Sequence, residues 1–169
     1  MNKNVELNKK KNAGFTLAEV LVACIIIVLL TAVGARGIST AAHAYFNVID
    51  RANASTLLST SLSELRNELS VATNVSIDDN SIVYRSGRSG NESKIKNGTD
   101  DSGIVVSEFV NNTNYFDRLL VTSQAATEKL HCEYESVSYA DGVIIINNIS
   151  VIKDDKTLVS RPTYMIKAG

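Results

Sequence analysis

The sequence predicts an α+β chain in which one long N-terminal helix lies on a mostly antiparallel sheet. Three observations carry this reading. Apolar residues of the first half recur at steps of three and four. After Asn74 the period drops to two. Turn-forming residues then punctuate the chain to its end. A helical run followed by a run of short strands is the α+β pattern.

The helix starts in an apolar run. Phe15 to Val33 is 19 residues long, interrupted only by Thr16, Glu19 and Thr31. At about 1.5 Å per residue it reaches about 28 Å, close to the hydrocarbon thickness of a bilayer. Residues 1–14 hold Lys3, Lys9, Lys10 and Lys11 against Glu6, a net of +3. The positive-inside rule puts this leader in the cytoplasm and the C-terminal part outside. The whole chain has net charge −1, so the remainder carries −4. Nucleic acid is not an expected partner for so acidic a surface.

From Ile38 the run becomes a stripe: Ile38, Ala42, Tyr45, Ile49, Ala52, Leu58, Leu62, Leu65, Leu69 and Ala72. Asn47, Asp50, Arg51, Asn53, Ser59, Ser63, Glu64, Arg66, Asn67 and Glu68 lie between them and read as the wet face. The helix is expected from about Phe15 to Thr73. Its first half is apolar all round and its second half amphipathic. Gly34-Ala35-Arg36-Gly37 is the expected flexible point, because each glycine weakens a helix by about 1 kcal/mol relative to Ala.

Val75–Ile77 and Ser81–Arg85, joined by Asp78-Asp79-Asn80, read as a hairpin. Residues 86–103 are rich in Gly, Ser, Asn and charge. They are expected to form an exposed loop, with a small hairpin around Asn97-Gly98. Further strands are expected at Ile104–Val110, Phe116–Thr122, Lys129–Tyr139, Val143–Asn147, Ile149–Ile152, Thr157–Ser160 and Tyr164–Lys167. Turns fall at Asp141-Gly142 and Asp154-Asp155. Pro162 belongs on an edge, since it cannot donate to a ladder.

The familiar chemical sites are absent from the pattern. Cys24 and Cys132 lie on opposite sides of the membrane boundary in this reading and are not expected to pair. His43 and His131 have no third ligand at metal spacing, and the acidic turns lack EF-hand spacing. No phosphate loop, GxSxG or HExxH occurs. No metal, cofactor, catalytic residue or enzyme activity is therefore expected. Arg85, Arg88, Lys94 and Lys96 form the one local basic cluster and read as a solvated face.

Glu19 is the residue that a plain anchor leaves unexplained. A carboxylate at the centre of a membrane helix costs about 2.5–3.5 kcal/mol and usually has a function. Gly14-Phe15-Thr16-Leu17-Ala18-Glu19, between a lysine-rich leader and an aliphatic helix, resembles the processing signal of type IV pilins and pseudopilins. The resemblance covers residues of about 9–33. It implies a pilin-like fold, cleavage between Gly14 and Phe15 by a prepilin peptidase and methyltransferase, and N-methylation of Phe15. It also implies that Glu19 acts in assembly with other pilin or pseudopilin subunits, after a stage in membrane lipid. Many type IV pilins kink the apolar half of this helix with a proline. This chain has none there, which favours a minor pilin or pseudopilin.

The expected division is a cytoplasmic prepilin leader (1–14), a transmembrane and filament-core half of the helix (15–37), an amphipathic half (38–73) and an extracytoplasmic β-rich domain (74–169). The alternative is a single-pass, signal-anchored protein whose outer β-rich domain binds a ligand or partner without assembling.

Overall fold

A computed structural model describes residues 15–99, 102–110, 113–121 and 129–169. The leader with Gly14, residues 100–101 and 111–112, and Thr122 at the end of an expected strand lie outside the described residues. Among the described residues one α-helix, α1 (Leu17–Leu69), is followed by nine strands. The chain divides into two compact units, Met1–Tyr45 and Phe46–Gly169.

In the first unit the helix runs unbroken through Gly34 and Gly37, and a Cβ at either would meet nothing within 4 Å. Its side chains from Leu17 to Tyr45 are exposed on every side. Among the described residues, α1 is the one helix long and apolar enough to cross a membrane.

The second unit holds the rest of α1 and two antiparallel sheets. Strands β1 (Thr73–Asp78), β2 (Ser81–Arg85), β3 (Glu92–Asn97), β4 (Ile104–Val110) and β5 (Thr113–Leu119) form a simple meander. In the second sheet β8 (Val143–Lys153) pairs along its whole length with β9 (Lys156–Lys167). The other edge of β8 is shared by β6 (His131–Glu133) and β7 (Ser136–Ala140).

The turns follow from local chemistry. Asp79-Asn80, Asp141-Gly142 and Asp154-Asp155 each link paired strands through two residues. In all three links both residues have positive φ, between 45° and 77°. Mirror-image turns of this kind match the strand twist, and Asn, Asp and Gly tolerate them best.

The core lies between α1 and the sheets. Ala54, Leu57, Ser61, Leu65, Glu68 and Leu69 are the buried helix residues. They meet Ile82, Tyr84, Ile95 and Val106 from the first sheet, and Ile144, Ile146, Ile149 and Val151 from the second. The buried face is therefore turned from the expected stripe. Leu58 and Leu62 are only half-buried, and Ile38 and Tyr45 remain exposed. Gly87 is required by close approach, since a Cβ there would run into the Val71 carbonyl oxygen.

Glu68, expected on the wet face, is 5% exposed. The Tyr84 hydroxyl donates to its Oε1 at 3.0 Å and the Ser86 hydroxyl at 3.4 Å, while Arg118 Nη2 donates to Oε2 at 3.1 Å. One carboxylate thus binds the end of α1 to β2 and β5. Asp50 is a second departure from the wet face, because Lys153 Nζ reaches its Oδ1 at 2.8 Å. Tyr164 makes a third tie. Its hydroxyl donates to the Leu62 carbonyl at 3.2 Å, and Arg66 and Arg161 stand 5.8 and 5.6 Å from its ring centre.

Several expected strands are redrawn. The expected loop 86–103 contains β3, placed in mid-sheet by pairing with both β2 and β4. The Lys129–Tyr139 strand is split at Tyr134-Glu135, because two asparagine side chains capture its backbone. Asn97 Nδ2 donates to the Tyr134 carbonyl at 2.7 Å and its Oδ1 accepts from Tyr134 N–H at 3.2 Å. Asn80 does the same to the Glu135 carbonyl, at 2.9 Å, and to Val137 N–H, at 3.0 Å. These amides splice the two sheets together. Val143–Asn147 and Ile149–Ile152 are one strand, with Asn148 at φ 49° between them. Opposite it the two last expected strands merge through Pro162. Pro162 does sit on an edge strand, with Lys156, Arg161 and Lys167 beside it; cations and proline both discourage edge pairing.

The basic cluster is largely exposed, Lys96 included, and three of its members make surface contacts. Lys94 pairs with Asp78 at 2.9 Å, Arg85 Nε donates to the Gly90 carbonyl at 2.9 Å, and Arg88 Nη2 donates to the Asn67 carbonyl at 3.3 Å.

Two outcomes follow. Glu68→Ala leaves the Tyr84 hydroxyl and the Arg118 guanidinium without their partner, and is expected to cost about 2–4 kcal/mol, read by chemical denaturation of the full chain in detergent. Alkaline pH is the second case. Burial pushes the Cys132 thiol from 9.0 up to about 11. Burial also raises the Tyr134 phenol, and burial with the adjacent Glu68 carboxylate raises Tyr84. All three pKa values are higher folded than unfolded, so the unfolded chain loses these protons first. Their contribution is whole below about pH 9 and is lost as pH rises through the folded values, so the unfolding midpoint is expected to fall above about pH 9. Cys132→Ala removes the part of that fall between pH 9 and 11.

Candidate functional site

The residues that the sequence singles out converge on the first turn of α1. Phe15 and Thr16 precede the helix and Glu19 lies in its first turn. The first backbone N–H groups of any helix lack intrahelical acceptors. Here Thr16 and Glu19 satisfy two of them reciprocally. Thr16 N–H and the Thr16 hydroxyl donate to Glu19 Oε2 at 2.8 and 2.9 Å, and Glu19 N–H donates back to Thr16 Oγ1 at 3.3 Å. This is a capping box, with Thr at the cap and Glu three residues on. The carboxylate also faces the positive end of the helix dipole.

The box uses one carboxylate oxygen. Oε2 accepts both Thr16 protons, while Oε1 has no hydrogen bond among the described residues. Phe15, one turn before Glu19, is 86% exposed. Beyond it Leu21, Ile25, Val28 and Leu29 are all more than half exposed. The site is thus a capped helix end leading into a bare apolar rod.

Residues 9–35 match the family model of the prokaryotic N-terminal methylation motif. This is the signature of type IV pilin and pseudopilin prepilin signals. The chain therefore carries a prepilin-type signal, and its apolar helix is that of a membrane-anchored protein. The match spans the end of the leader and the apolar half of the helix. No curated protein and no solved structure matches the chain. The α+β arrangement, a long apolar helix packed on antiparallel sheets, is the pilin-like one.

The sequence reading gave Glu19 a role in assembly and overlooked its partner Thr16. The signal was present, since Thr-x-x-Glu before an apolar run is the capping-box pattern. Cys24 lies exposed on the helix and Cys132 is buried in the second unit. His131 lies on β6 and His43 on α1.

Thr16→Ala removes the cap and is expected to destabilise the first turn by about 0.5–2 kcal/mol. Faster amide exchange at residues 17–20 of the full chain would show it. Glu19→Gln keeps the box, because Gln substitutes for Glu at that position, and should leave exchange there unchanged.

Proposed function

We propose that this chain is a structural subunit, a minor pilin or pseudopilin, of a type IV pilus-like or type II secretion-like filament. The observation that supports it is the junction itself: a methylation motif continuous with a helix exposed on every side from Leu17 to Tyr45. An apolar rod of this length needs lipid or other helices around it.

In this reading the leader stays in the cytoplasm and the β-rich part lies outside. Prepilin peptidase cuts between Gly14 and Phe15, and the new amino terminus of Phe15 is methylated. The helix then leaves lipid and packs among helices of other pilin or pseudopilin subunits. The role is structural and requires no catalytic residue or cofactor of this chain.

Cleavage creates a cation at the positive end of a helix, which is unfavourable in apolar surroundings. Glu19 supplies the compensating charge. Oε2 is held by Thr16, so Oε1 is the oxygen offered to an amine, either that of its own Phe15 or that of an incoming subunit. A buried pair of this kind is poor at adding stability but good at setting register. The absence of a helix-kinking proline favours the minor or pseudopilin assignment over the major one.

N-terminal sequencing and intact mass of the mature protein test the processing step. The expected chain starts at Phe15 and carries one extra methyl group; a start at Met1, or beyond Gly34, would sink the reading. Glu19→Ala should be processed normally yet enter filaments at least about tenfold less, since an uncompensated buried charge costs about 3–5 kcal/mol. Glu19→Gln keeps the cap but not the charge and should show the same assembly defect.

A further inference from the structure

A second site lies on the first sheet, on the face turned away from the helix. Strand register puts Arg85, Glu92 and Phe109 side by side in one row across β2, β3 and β4. Ile82, Tyr84, Ile95 and Val106, buried against the helix, occupy the other face. The ladder is irregular on both sides of that row. The β1–β2 register shifts between Thr73 and Ser76, and the β4–β5 register shifts between Glu108 and Phe109. Such bulges bend a sheet and re-aim side chains. Between them is a hollow of about 530 Å³, whose lining includes these three residues, Asn74, Asn91 and the apolar Val110. Ligand sites commonly measure about 300–1,000 Å³.

The wall of the hollow is fixed. Ser86 N–H donates to the Asn91 carbonyl at 2.9 Å, Gly90 N–H to the Ser86 carbonyl at 2.8 Å, and Arg85 Nε to the Gly90 carbonyl at 2.9 Å. The groups lining it are uncommitted. The side chains of Asn74, Asn91 and Glu92, and the terminal nitrogens of Arg85, make no hydrogen bond or ion pair among the described residues. This contrasts with Lys94, on the same face, which is paired with Asp78.

The chemistry narrows the ligand. One guanidinium and one carboxylate leave the hollow without net charge. A phosphate or carboxylate would meet Glu92, and an apolar ligand would strip water from both charged groups. Two amides, a donor and an acceptor beside one aromatic ring suit a molecule whose hydroxyls both donate and accept and whose C–H face packs on that ring. We propose that this hollow binds a neutral oligosaccharide. The proposal is independent of processing and filament assembly.

The test uses the full chain in a zwitterionic detergent that has no sugar headgroup. It is applied to an array of neutral oligosaccharides of hexoses, N-acetylhexosamines and deoxyhexoses, with sulfated oligosaccharides alongside, and each hit is titrated in solution. Saturable binding of at least one neutral oligosaccharide is expected. Asn74→Gly removes an amide while tolerating φ 52°, and Glu92→Gln removes a charge. Each is expected to weaken binding by about 3–10-fold with the unfolding midpoint unchanged. Phe109→Ala should weaken it further, and Met165→Ala, on the second sheet, should bind as the parent does. No neutral ligand, sulfated ligands alone, or binding that survives both Asn74→Gly and Glu92→Gln would overturn the proposal.

Discussion

The inner faces of both sheets share one helical cover, the segment of α1 from Ala54 to Leu69. That constraint orders the second unit. A sheet buries one face and must lay it on something. Ala54 and Ser61 are buried with Leu57, Leu65 and Leu69, which fill the interior, and Glu68 fixes the helix end to two strands of the meander. A buried carboxylate is tolerated because both of its oxygens have partners. The same helix, one stretch earlier, has no cover among the described residues. A single element therefore serves as core in one unit and as an exposed apolar rod in the other.

The fold class was legible because both periods are long and distinct. Turn chemistry was legible too, as three Asp-containing pairs with positive φ lie where the sequence put turns. The details that misled share a physical cause: polar groups whose partners are distant in sequence. Glu68 and Asp50 look like surface residues until Tyr84, Arg118 and Lys153 are brought to them. β3 looks like a loop because Ser93, Lys94 and Lys96 alternate with few apolar residues, yet Ser93 and Ile95 are fully buried. The split between β6 and β7 depends on Asn80 and Asn97, 37 to 57 residues away in sequence, and no local pattern announces it.

The prepilin-type signal was more legible than the globular part. It is a local signal, read over a few residues, and the methylation motif coincides with it. What the structure adds is division of labour within one carboxylate. One oxygen closes the helix end and the other is left open. An acid at this position thus orders the first turn from within the chain itself.

The edge strand β9 carries three cations, Lys156, Arg161 and Lys167, and its proline. Sheet proteins in general guard their open edges, and a membrane-anchored chain needs the guard more, because tethering raises the effective concentration of one copy near another. At that density an open ladder edge would template unintended sheet growth. Like charges on neighbouring copies repel each other there, and Pro162 removes a backbone donor. Charge and proline thus keep this edge closed however near a second copy comes.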